Sequence, residues 1–302
     1  MRSPRRRVYL HVGLPKAASS SLQRWCADHR DFLEGKGVFY PETNRGLLAP
    51  KHEFVVSELL AGHCRSLARL LEVRPQQDLF LSSEGLVYRF HEFSSEALAC
   101  LRQAMRPREV ELVVIKRDFE SWSRSLYAQS ILNRPGPTRS YGGSMTLREF
   151  RSSEHFLRVA DCASRLAEYQ AAFGADHCSV FEVHEDWFGG LACLMGFADG
   201  DAKVARPARE NQSVSPELVE IVRQVNAMGL ADELRSNFLA FIAAYSGATH
   251  NVLKTYRRIT EGGRARTSAV EVWSRLSPGC AAVQAEAHAL LAFLFSGPAR
   301  GA

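Results

Sequence analysis

Four short apolar runs recur along the chain: Val8 to Gly13 (VYLHVG), Asp78 to Ser82 (DLFLS), Glu111 to Lys116 (ELVVIK) and Cys178 to Val183 (CSVFEV). Each is rich in β-branched or aromatic residues and bounded by polar or turn residues, the signature of a buried strand. Longer stretches with helical periodicity separate them. A helix is expected from about Ser20 to Leu33. Across His52 to Val73, residues Phe54, Leu59, Leu60, Leu67, Leu70 and Leu71 fall roughly along one side. This alternation predicts an α/β fold, a central parallel sheet with helices on both faces, and ligands of such sheets gather at the carboxyl ends of the strands. Asn133 to Ser144 (NRPGPTRSYGGS) reads as a loop. After about Ser215 the pattern is helical, interrupted at Gly262-Gly263 and Pro278-Gly279. The expected organisation is one domain over residues 1–302, with an α/β core over 8–214 and a helical C-terminal extension over 215–302.

Composition excludes several classes. Of 302 residues, 46% are hydrophobic and 24% charged, the balance of a globular protein rather than a disordered one. The net charge of +5 suits an anionic ligand but not the dense basic surface of a nucleic-acid binder. Much of the excess lies in Arg2, Arg5, Arg6 and Arg7, which read as a solvated tail. The seven cysteines are scattered without a CxxC pair, so neither a zinc site nor a disulfide framework is expected. With no signal-peptide pattern and no apolar run long enough for a membrane span, a cytoplasmic protein is expected.

The chemistry begins after the first strand, at Gly13-Leu-Pro-Lys16-Ala17-Ala18-Ser19-Ser20-Ser21-Leu22-Gln23. A strand turning directly into a helix aims free backbone N–H groups and the positive end of the helix dipole at one spot, a ready anion site. Serine hydroxyls add donors and Lys16 adds a full charge. The nucleotide-triphosphatase pattern GxxxxGK[ST] is not met. Ala18 takes the second glycine position, Lys16 precedes it, and no hydroxyl residue follows a lysine to hold magnesium. Ala18 is compatible with such a loop if it keeps a negative φ.

The strand at Glu111 to Lys116 delivers Arg117, then Asp118 as a helix N-cap, and Ser125 follows Arg117 by eight positions. A guanidinium suits a phosphate because it offers two parallel N–H donors. Together these segments resemble the sulfotransferases that use 3′-phosphoadenosine 5′-phosphosulfate (PAPS), whose phosphosulfate loop is Pro-Lys-x-Gly-[Thr/Ser]-[Thr/Ser]-[Ser/Thr]-Leu. Ala18 in place of the glycine is a departure. Gly37-Val-Phe-Tyr-Pro41, Leu81-Ser-Ser-Glu84, Ser125-Leu-Tyr-Ala-Gln129, Leu166-Ala-Glu-Tyr169, Phe173-Gly174 and Asn211-Gln-Ser213-Val-Ser215 are similar to a bacterial branch, from about Val8 to Asn226.

The resemblance implies the P-loop sulfotransferase fold and transfer of a sulfuryl group to a hydroxyl or amine of a small-molecule or glycan acceptor, without a metal. It implies that Lys16, Ala17, Ala18, Ser19, Ser20 and Ser21 hold the 5′-phosphosulfate, and that Arg117 and Ser125 hold the 3′-phosphate. Lys16 would also meet the charge of the leaving phosphate. Two residues compete as general base: Glu84, at the end of a strand, and His52, at the start of a helix. Gly262-Gly-Arg264-Ala-Arg266 is a weak candidate for a further phosphate contact and reads equally as a solvated turn. A nucleotide or metabolite kinase and a non-catalytic nucleotide-binding member of the same family are the alternative readings.

Overall fold

The computed structural model describes residues 5–42, 50–133, 141–183, 186–197, 206–207 and 214–245. The chain divides into two compact units, one of residues 1–122 and 157–209 and one of residues 123–156 and 210–302.

The first unit is built on a parallel sheet of β1 (Arg7–Gly13), β2 (Val38–Phe39), β3 (Asp78–Ser82), β4 (Glu109–Lys116) and β5 (His177–Glu182), in the order β2-β3-β1-β4-β5. The α/β expectation is met, and four of these strands match the apolar runs to within two residues. β1 lies centrally and is buried along nearly its whole length, so its residues have no polar face and read as a continuous apolar run. Burying each Val or Leu there stabilises the fold by about 1.5–3 kcal/mol. β5, at the sheet edge, is only partly covered, and Val180 is exposed.

Helices in chain order are α1 (Ser19–Asp28), α2 (Arg30–Gly35), α3 (Glu53–Leu60), α4 (Arg65–Val73), α5 (Gly85–Tyr88) and α6 (Ser95–Met105), followed by α7 (Phe119–Leu132), α8 (Leu147–Arg151), α9 (Glu154–Ala160), α10 (Leu166–Phe173), α11 (Trp187–Leu194), α12 (Pro216–Ala227) and α13 (Asp232–Tyr245). Two helices expected to be continuous are broken. The first ends around His29, and the second is interrupted at Ala61 to Cys64, where Gly62 takes a φ of 81°. Beyond α4, the buried Arg108 donates to the carbonyls of Leu71, Arg74 and Gln77, placing a cation at that helix's negative end.

One expectation about cysteine is overturned. Cys64, at the start of α4, and Cys100, on α6, form a disulfide. Their separation of 36 residues hid the pair from motif reading, and with it goes one ground for expecting a reducing compartment. No helix among the described residues is long and apolar enough to cross a membrane.

In the second unit, Ile131 and Leu132 of α7 pack with Val219 and Val222 of α12 and Leu239 and Ala240 of α13. Arg235 is buried there, donating to Asn226 Oδ1 at 2.7 Å and to the carbonyls of Ile131 and Asn133 at the end of α7. Residues 123–156 therefore group with the chain after residue 210, where sequence placed them in the α/β core. The expected loop at 133–144 lies partly outside the described residues, and residues 246–302 lie wholly outside them.

Candidate functional site

The strand order puts a topological switch at β1. The chain leaves β1 towards β2 on one side, and the connection from β4 runs to β5 on the other. The crevice at the carboxyl ends of β1 and β4 is where such sheets take ligands. Gly13 ends β1 with a φ of 115°, and a Cβ there would lie 3.1 Å from Pro15 N and 3.4 Å from Glu84 Cγ, so the turn calls for glycine and Glu84 stands against it. The following loop is tied down on its inner side. Leu14 N donates to Ile115 O at 2.7 Å, Trp122 Nε1 to Pro15 O at 2.8 Å, and Ser19 Oγ to Leu14 O at 3.3 Å.

Ala17 is turned inward: its methyl is buried and its N–H donates to Leu14 O, so its expected part in holding a phosphate shrinks to shaping the loop. Ala18 does not keep a negative φ. It sits at φ 64°, ψ 5°, and Lys16 also takes a positive φ of 66°. Left-handed backbone costs a residue with a Cβ about 1–2 kcal/mol, so this loop holds strain at two positions. Ala18 then serves as N-cap of α1 with no side chain to cap it, and no acidic residue stands in the first turn. That helix end keeps its preference for an anion, with Ser19, Ser20 and Ser21 around it. Lys16 is half-buried. Burial lowers its pKa, and the charge of Glu84 opposes that shift.

On the other side of β1, β3 ends at Ser82, and Ser83 N continues the ladder by donating to His11 O at 3.0 Å. Glu84 then opens α5. Its carboxylate accepts from Gln23 Nε2 at 3.2 Å, the same nitrogen donates to Ser82 Oγ at 3.0 Å, and Ser82 Oγ meets His11 Nδ1 at 2.7 Å. His11, Gln23 and Ser82 are fully buried. Burial pushes the His11 pKa down to about 4, with Glu84 acting in the opposite direction, so the ring is neutral near pH 7. Sequence alone assigns no role to His11, Gln23 or Ser82. The available signal was a histidine inside an otherwise apolar buried strand.

His52 is the N-cap of α3, as its place in the sequence implied, but it is fully buried and both ring nitrogens are spent. Ser82 N donates to Nδ1 at 2.9 Å, which leaves Nε2 carrying the proton and donating to Pro41 O at 3.1 Å. Burial lowers its pKa to about 4. With no lone pair open to a substrate, this geometry makes His52 a brace between β3 and the Pro41 segment.

At the end of β4, Lys116 pairs with Glu182 at 2.5 Å, and Arg117 is partly exposed and approaches Asp118 at 3.9 Å. Asp118 Oδ1 accepts from Ser121 N at 2.9 Å, the expected N-cap of α7. No family model matches the chain, and neither curated proteins nor solved structures yield a match. The site is therefore argued from its own geometry. Three neighbouring strand ends of the first unit carry Lys16, Glu84 and Arg117. Ser125 lies on α7 in the second unit, half-buried. Gly262 to Arg266 fall outside the described residues.

Proposed function

We propose that the chain is a sulfotransferase that moves a sulfuryl group from PAPS to a hydroxyl or amine of a small-molecule or glycan acceptor. The observation that carries this reading is the uncapped amino end of α1, with Lys16 before it, beside a carboxylate at the next strand end. An anion at the helix end gains from the dipole and from the charge of Lys16 beside it. In this reading Glu84 takes the acceptor's proton as the acceptor oxygen or nitrogen bonds to sulfur. The bond from sulfur to the bridging oxygen breaks, and Lys16 meets the charge that grows on the departing 5′-phosphate. Arg117 and Ser125 are proposed to hold the 3′-phosphate. Positioning and charge supply most of the rate, as in phosphoryl transfer.

Calorimetry with 3′-phosphoadenosine 5′-phosphate (PAP) in the presence of a chelator tests this reading. Binding is expected, tighter than that of ATP, and weakened in Lys16→Ala, which keeps a Cβ at the left-handed position and removes only the charge. No binding to the unaltered protein, or a clear preference for ATP, would sink the proposal.

A further inference from the structure

Gln23 lies just past the first turn of α1, fully buried beside the loop. Its side-chain nitrogen carries two N–H groups, and both have partners, Ser82 Oγ and Glu84 Oε2. Chemistry orients the amide. An ionised carboxylate only accepts, so the NH2 end faces Glu84. The same group donates to Ser82 Oγ, which also meets His11 Nδ1 at 2.7 Å. His11 thus fixes the serine, the serine fixes the amide, and the amide fixes the carboxylate. The charge of Glu84 is felt in turn by Lys16, His11 and Tyr40.

The network is a poor device for stability alone. Among the described residues, Gln23 Oε1 and His11 Nε2 are buried without a hydrogen-bond partner, and apolar side chains would fill the same space without leaving polar atoms unmatched. Departures of this kind concentrate at functional sites. We propose that Gln23 is a positioning residue, which holds the Glu84 carboxylate beside the phosphate loop through an amide locked by Ser82 and His11. The role rests on reading Glu84 as the base.

The test compares Gln23→Met, Glu84→Gln and the double variant. It measures PAP affinity by calorimetry, and kcat and KM for release of PAP from PAPS with water as acceptor. Gln23→Met keeps the volume and loses both donors. Its kcat is expected to fall roughly tenfold, the loss of one hydrogen bond to a charged group, with KM and PAP affinity unchanged. In the Glu84→Gln background the same change should lower kcat no further, because the group it positions is already gone. Unaltered kcat in Gln23→Met, or a full second loss in the double variant, overturns the positioning role and leaves Glu84 as base. Unaltered turnover in Glu84→Gln overturns the base reading itself, and the positioning role with it. Should Gln23→Met not fold, Gln23→Leu makes the same comparison.

Discussion

Ala18 stands where the resembling family has glycine, and it takes the left-handed conformation that glycine takes freely. Its Cβ therefore costs the folded state energy. Ala18→Gly is expected to stabilise the protein by about 1 kcal/mol, even though glycine gives the unfolded chain more freedom to lose. Urea denaturation of the two proteins measures this directly. Equal or lower stability in the glycine variant would mean the strain is not there. Sequence located Lys16 and Glu84 but not the sign of φ at position 18, because alanine is the residue that least advertises a turn. The signal lay in the missing glycine. His52 shows the converse. Its place before a helix was legible, while its bonds to Ser82 and Pro41 depend on residues distant in the chain that only the assembled sheet brings near.

At the scale of elements, strands were legible because a buried parallel strand is apolar on both faces, and β1, β3 and β4 announce themselves as nearly unbroken runs, while the partly covered β5 showed through its β-branched and aromatic residues. The two-residue β2 carries too little pattern to be seen. Helix breaks were hidden for a different reason. α3 and α4 both turn their apolar sides to the same core, so the stripe continues through the interruption at Gly62. The join of β4 to α7 was readable down to its cap, since Asp118 bonds the first turn locally. That join carries the next prediction. If Arg117 and Ser125 hold a 3′-phosphate, Arg117→Ala and Ser125→Ala should weaken binding of PAP far more than of adenosine 5′-phosphate, which lacks that group. Calorimetry on both nucleotides decides it. Equal losses would return the two residues to purely structural work.

For the molecule as a whole, acid should be the sensitive direction. His11 and His52 have folded pKa values near 4 against an ordinary 6.5, so between those values the unfolded chain binds protons that the folded chain refuses. Stability is then full above about pH 6.5 and falls as pH drops towards 4, by up to about 3 kcal/mol for each histidine. Unfolding free energies measured from pH 7 to pH 4 should show this decline, and His11→Asn should flatten part of it. A level profile across that window would contradict two buried neutral rings. The sheet that buries them also has a consequence for how the protein is made. Every strand pair is parallel, so no hairpin can form early. His11 pairs in register with Ser82, 71 residues later, and Arg7 with Glu109, 102 residues later. At roughly 5–20 residues per second on the ribosome, β1 and the loop that follows it emerge several seconds before their first partner strand is synthesised. A nascent-chain chaperone that shields β1 during that interval would raise the yield of this protein more than one acting after release.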